Sequence, residues 1–266
     1  MDIKEQLSSV FESLSKQKPL IHHITNYVTV NDCANAVLAI GGSPIMADDT
    51  SDIEAIAKMS DALVLNIGTV NHRTLDSMLK AAKIANEHGI PVVLDPVGVG
   101  VTPFRHEAVT KLLRSAHISV IRGNFAEIRN IAGLESKSAG VDSLDEEHDG
   151  AKLASTLAKS LGCTIAITGK EDIISNGQST YILSNGDSLL TKVTGTGCMS
   201  TSLIASFLGA SRLALVSAVA GISVMAIAGE LADKSKGTGT FRTSLMDVIS
   251  QMDYACLQTH INVRKV

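Results

Sequence analysis

The 266-residue sequence predicts a layered α/β protein with a mainly parallel central sheet. Three observations predict it. Short β-branched runs recur, and each is followed by a longer segment of helical period. The runs are apolar throughout instead of alternating, as strands covered on both faces are. Late in the chain, polar hairpin-like segments and a glycine loop lead into long apolar helices.

The opening MDIKEQLSSVFESL carries early acidic residues and apolar residues at helical spacing, so it predicts an amphipathic helix and no secretory leader. Strands are expected at SPIMA (43–47), ALVLNIG (62–68), PVVLDPVG (91–98), ISVIRGN (118–124) and TIAITG (164–169). Between them lie helices such as RTLDSMLKAAKIANEHG, which ends on Gly89 with Pro91 just beyond. The polar stretch SKSAGVDSLDEEHDG (136–150) is read as a surface loop. DIISNGQSTYILSNGDSLLTKV (172–193) has Asn-Gly turns between short apolar runs and predicts antiparallel hairpins at the sheet edge. After the glycine loop the remainder is expected to be helical to the end. No repeat or linker interrupts the chain, so residues 1–266 are expected to form one domain.

Composition narrows the function. With 45% hydrophobic and 19% charged residues the chain is globular, not disordered. A net charge of -4 with no Lys/Arg cluster excludes a general nucleic-acid-binding surface. Cys33, Cys163, Cys198 and Cys256 form no C-x-x-C pair, which speaks against a zinc ribbon or redox motif and for a reducing, cytoplasmic location. The uncharged stretch Leu213–Gly229, LALVSAVAGISVMAIAG, stands at the short limit of a membrane span. It is alone and rich in Ala, Ser and Gly, so a helix buried in the core is expected and no membrane partner.

Chemistry is expected where parallel strands end. Ligands of open α/β sheets bind beyond the carboxyl ends of the strands. Those ends carry Met46 and Asp48, Asp95, Arg122 to Asn124 with Glu127 close behind, and Thr168. KVTGTGCMSTS (192–202) adds a glycine loop feeding a helix. Unpaired amides and the positive end of the helix dipole make such a start an anion site, most usefully for phosphate, and Gly195 and Gly197 let the backbone approach. The run lacks the Lys-Ser/Thr of a P-loop, and Ser200 replaces the last glycine of a dinucleotide fingerprint. Each piece has a plainer reading. Gly195–Gly197 can be a tight turn, Cys198 a small buried hydrophobe, Asp95 a turn residue before Pro96. Glu127 can be a first-turn helix acid, Arg122 a surface ion pair, and His22–His23 structural.

Four segments in order, HHITNYVTVNDCANAVLAIGGSPIMADD (22–49), LDPVGVGVTPFR (94–105), IRGNFAEI (121–128) and VTGTGCMSTS (193–202), give the chain a wider likeness. It resembles the hydroxyethylthiazole kinases of thiamine biosynthesis, members of the ribokinase-like fold, over nearly its whole length. The resemblance implies a ribokinase-like α/β/α architecture without a lid domain. It implies transfer of the ATP γ-phosphate to the hydroxyethyl oxygen of 4-methyl-5-(2-hydroxyethyl)thiazole. It further implies that Arg122 and Thr168 contact ATP, that Asn26, Met46 and Gly195 line the thiazole site, and that Asp95 and Glu127 surround Mg²⁺ and the phosphates. Gly195 to Cys198 would form the anion hole, with Gly197 and Cys198 catalytic, in a homotrimer whose active sites lie at subunit borders. Many ribokinase-like enzymes carry Asp where this chain has Cys198. An ordinary thiol, with a pKa of roughly 8.5, is a weaker base at neutral pH, although a helix N-terminus is expected to lower that value.

Overall fold

A computed structural model describes residues 2–135 and 146–266. Its strands are β1 (Leu20–Ile24), β2 (Ser43–Met46), β3 (Ala62–Asn66), β4 (Val92–Asp95), β5 (Val120–Asn124), β6 (Thr164–Thr168), β7 (Asp172–Ser175), β8 (Thr180–Leu183) and β9 (Val263–Lys265). The helices are α1 (Ile3–Gln17), α2 (Val30–Ala39), α3 (Ile53–Met59), α4 (His72–Glu87), α5 (Pro103–Ser115), α6 (Phe125–Glu135), α7 (Glu146–Leu161), α8 (Thr196–Ser211), α9 (Ala214–Leu231), α10 (Thr238–Ser250) and α11 (Tyr254–His260).

All the strands join one sheet in the order β2-β1-β3-β4-β5-β6-β7-β8-β9. Pairings from β2 across to β6 are parallel, and those from β6 to β9 are antiparallel. Successive strand residues point to opposite faces, so one run feeds two cores. Ala62, Val64, Val93, Val120 and Ala166 face α1, α2, α8, α9, α10 and α11. Leu63, Leu65, Leu94, Ile121 and Ile165 face α3 to α7. That is the expected α/β/α layering, with no separate lid among the described residues.

Helix α9 settles the question raised by its composition. It is 78% buried along its length, a core helix packed on α8. Gly221 makes the contact possible, since a Cβ there would stand 2.5 Å from the backbone nitrogen of Ile204. The two helix backbones therefore touch, and a larger side chain at 221 would force them apart.

Several expectations need correction. LIHHI forms β1, an inner strand between β2 and β3 that the sequence reading did not contain. Asn176–Gly177 makes the expected hairpin turn between β7 and β8, with Gly177 at φ +83°. Asn185–Gly186 does not make a second one. The Asn185 amide is taken up by Glu230 and the carbonyl of His260, and Ser188–Lys192 coils into a 3₁₀ turn capped by Asp187. The partner of β8 is instead β9, so the chain does not stay helical to its end. The loop read at 136–150 lies outside the described residues up to 145, while 146–150 already belong to α7.

Candidate active site

Because β2 to β6 run parallel, their carboxyl ends meet along one rim, and the amino terminus of α8 points into it. Asp95, the last residue of β4, is fully buried. Its Oδ2 accepts from Asn66 Nδ2 at 3.0 Å and Thr201 Oγ1 at 2.8 Å, and lies 3.8 Å from Arg122 Nη1. Its Oδ1 is buried without a partner. Burial pushes its carboxyl up to about 6, against the pull of Arg122, Thr201 and Asn66.

Arg122 leaves β5 beside the start of α8. Its Nη2 donates to Thr168 Oγ1 at 2.5 Å, and its guanidinium rests against Gly197, where any Cβ would collide with it. The glycine at 197 thus lets the guanidinium lie against the backbone, and a larger residue would displace it. Gly195 is required twice over, by φ +89° and because a Cβ would stand 2.6 Å from Thr29 Cγ2. Glu127 closes a capping box on α6. Its Oε2 accepts from the Asn124 N–H at 2.8 Å, Asn124 Oδ1 accepts from the Glu127 N–H at 2.9 Å, and Oε1 accepts from the Gly98 N–H at 2.9 Å. It ties the loop after β4 to the end of β5.

Cys198 lies in the first turn of α8. Asn66 Nδ2 and Asn26 Nδ2 approach its sulfur at 3.3 Å and 3.4 Å. The expected depression of its pKa is not what the surroundings produce. Burial pushes the thiol up, Asp95 pushes it further, and hydrogen bonds from Thr29, Asn66 and Asn26 offset only part. Burial first, and the neighbouring Asp95 carboxylate second, outweigh the pull of the helix terminus.

Two cavities flank α8. One of about 600 Å³ is lined by Arg122, Thr168, Asp172, Thr196, Gly197 and Ser200, with Leu190, Ile222 and Met225 as an apolar wall. A smaller one of about 240 Å³ is lined by His23, Thr25, Tyr27, Met46, Asp48 and Arg73. Ser202, one turn past Cys198, bonds His23 Nε2 at 3.0 Å, so α8 lines the larger cavity and holds a wall residue of the smaller. Burial pushes the His23 imidazole down to about 4, which keeps it neutral in this contact. A third cavity, about 690 Å³, lies at the opposite ends of the strands around Pro91, Ser119 and Thr164, and holds none of the expected residues.

The structure therefore joins Asn26, Asp95, Arg122, Thr168, Gly197 and Cys198 through side-chain contacts. Met46 lies in the smaller cavity, Gly195 against Thr29, and Glu127 behind Gly123. Sequence reading missed Asn66 and Thr201, and it read His23 as structural. Asn66 was recoverable by the same strand-end rule that found Asp95. Thr201 belongs to the polar run Ser200–Ser202 inside an otherwise apolar helix, a signal in itself.

The profile of the "Hydroxyethylthiazole kinase family" matches residues 11–255. The chain belongs to this family. It is 50% identical over 258 residues to the hydroxyethylthiazole kinase of Alkaliphilus oremlandii (strain OhILAs), covering 95% of each chain. The solved hydroxyethylthiazole kinase structure from Pyrococcus horikoshii OT3 superposes with a TM-score of 0.92 at 36% identity, covering 98% of this chain and 99% of that one. A Staphylococcus aureus pyridoxal kinase solved with ADP superposes at 0.66 with 16% identity, over 94% of this chain and 99% of that one, and shares the fold. The family expected from the sequence is the family found, and with it the kinase class of the enzyme.

Proposed function

We propose that the chain transfers the γ-phosphoryl group of ATP to the hydroxyethyl oxygen of 4-methyl-5-(2-hydroxyethyl)thiazole, supplying the thiazole phosphate for thiamine. One observation carries the assignment of parts: the first turn of α8 lines a nucleotide-sized cavity, and its second turn bonds His23, which lines a small-ring-sized one. ATP takes the larger, with Arg122 and Thr168 on its phosphates and the amides around Gly197 facing the group in flight. The thiazole takes the smaller, beside Met46, Asn26 and Gly195.

In the reaction the alcohol oxygen forms a bond to γ-phosphorus as the bond to the β,γ-bridging oxygen breaks, and the hydroxyl proton leaves. The transition state is loose, so placement and charge neutralisation dominate. Arg122 and the α8 amides supply charge, and the thiolate form of Cys198, scarce because burial raises its pKa, takes the proton. Asp95 would offer an oxygen to Mg²⁺, a hard cation that keeps several waters, and Glu127, whose two oxygens already accept from backbone N–H groups, would reach it through those waters. The unpartnered Asp95 Oδ1 is the donor the protein leaves unspent. A metal held there would neutralise phosphate charge.

Exposed Tyr27 and Val28 stand beside the smaller cavity and support a homotrimer that covers it. All four cysteines are free of disulfides, consistent with the cytoplasm. Incubation with ATP, Mg²⁺ and the thiazole alcohol, with pyridoxal and hydroxymethylpyrimidine as rival acceptors, tests the assignment. Phosphate ester should appear on the thiazole in preference, and preference for either rival would overturn it. Sedimentation at three times the chain mass checks the trimer.

A protonated thiol contributes little base strength, and general-base help is worth about 10²- to 10⁴-fold at most. Cys198→Asp should therefore retain or exceed the parent kcat, and Cys198→Ala should fall by about tenfold without dying. Steady-state rates on both variants check this. A folded, ATP-binding Cys198→Asp enzyme with no turnover would end the base assignment.

A further inference from the structure

We propose that Asn66 is a positioning residue of the phosphoryl-transfer site, whose amide locks the side chain at position 198 to Asp95. Its orientation is not a free choice. Oδ1 accepts from the Gly68 backbone N–H at 2.9 Å, and a backbone N–H only donates. The amide therefore cannot be flipped, and Nδ2 must face Asp95 Oδ2 at 3.0 Å and Cys198 Sγ at 3.3 Å. Oδ1 also accepts from Asn26 Nδ2 at 3.0 Å. Asn26 is fixed the same way, because its own Oδ1 accepts from the Thr29 N–H at 3.0 Å. Its second amide hydrogen then points at Cys198 Sγ, 3.4 Å away.

All four hydrogen-bonding positions of Asn66 are spent, at 2% exposure. One N–H goes to a carboxylate and the other to the sulfur, so one rigid group bridges β4 and the first turn of α8. Position 198 receives two N–H donors and is built to hold an acceptor. A carboxylate there would receive the same two donors as stronger, charge-assisted bonds. The role rests on Cys198 taking part in proton removal, and the test separates the two claims.

Asn66→Ser keeps an oxygen for the Gly68 N–H, as a serine two residues upstream can, and removes both bridging N–H groups. Asn66→Asp is isosteric, keeps Oδ1 and turns the bridge into an acceptor. Steady-state kinetics with ATP, Mg²⁺ and the thiazole alcohol would be measured for both in three backgrounds: the parent, Cys198→Ala and Cys198→Asp. In the parent, Asn66→Ser should lower kcat about tenfold, and Asn66→Asp by more, with both KM values within about threefold. The loss from Asn66→Ser should shrink to under about threefold in Cys198→Ala and exceed the parental loss in Cys198→Asp. Equal losses in all three backgrounds would overturn the proposal, since a merely structural asparagine acts alike in each. A Cys198→Ala enzyme as fast as the parent would instead sink the base assignment, and the parent against Cys198→Asp would then judge the bridge alone. Should Asn66→Ser fail to fold, Asn66→Thr, which likewise keeps an oxygen and lacks both N–H groups, carries the same comparison.

Discussion

Asp95→Asn should lower kcat by about 10³-fold while raising thermal stability at pH 8. Both effects come from one carboxylate placed in a dry position. Burial is the largest influence on it and lifts its pKa to about 6, from about 3.9 in an unfolded chain. The folded protein therefore holds this proton more tightly than the unfolded chain does. The stability it contributes is complete below about pH 4 and is lost as pH climbs through about 6. At pH 8 the ionised group is a burden, and an amide of the same shape removes it. A shift of this size caps the gain at roughly 3 kcal/mol, and about 1–2 kcal/mol is expected. Arg122 limits the gain, because it loses an ion-pair partner at 3.8 Å. Asp172 moderates that loss, since it also feels Arg122 and lines the same cavity. Melting curves at pH 4.5 and pH 8 check the sign. The variant should gain on the parent only at the higher pH. A variant less stable than the parent at pH 8 would show that the ion pair outweighs desolvation.

The parts of the fold that were legible are those whose signal is local. Parallel strands announce themselves as unbroken apolar runs, and five of them did, although β2, at the sheet edge, is only half-buried. LIHHI did not, because histidine counts as polar in any pattern. In place, His23 is neutral and fully enclosed, bonded to the carbonyl of Ile21 and to Ser202 on a helix 179 residues away. Strand β9 has three residues, two of them the exposed Arg264 and Lys265, and pairs with β8 alone. Nothing in so short a polar segment marks a strand.

The site was legible to the same degree. Strand ends pointed to Met46, Asp95, Arg122 and Thr168, and the glycine loop pointed to α8. The direction of the Cys198 shift was not legible, because it depends first on how deeply the fold buries the thiol and then on Asp95, 103 residues earlier in the chain. The Asn66 bridge needed Asn26, Gly68, Asp95 and Cys198 together, four positions that only the topology β2-β1-β3-β4 and the crossing of α8 bring into contact.

Arg122→Ala should lower kcat/KM by about 10³-fold, and Arg122→Lys should recover only part of that. The guanidinium does two jobs at once. One arm donates to Thr168 Oγ1, and the group as a whole sits beside Asp95 and over Gly197, where the phosphoryl group is proposed to pass. Lysine restores the charge and loses the planar fork, so it cannot hold Thr168 and face phosphate together. The consequence for pH is separate and has a definite sign. Arg122 is the strongest influence lowering the Asp95 pKa. Without a positive charge at 122 the protonated carboxyl gains, and the acid limb of the kcat/KM profile should move above the parental position near 6. Arg122→Lys should leave that limb close to the parent, because a charge remains. Rate loss without movement of the limb in Arg122→Ala would mean that the arginine binds nucleotide but does not govern Asp95. An unmoved rate would remove it from the site altogether.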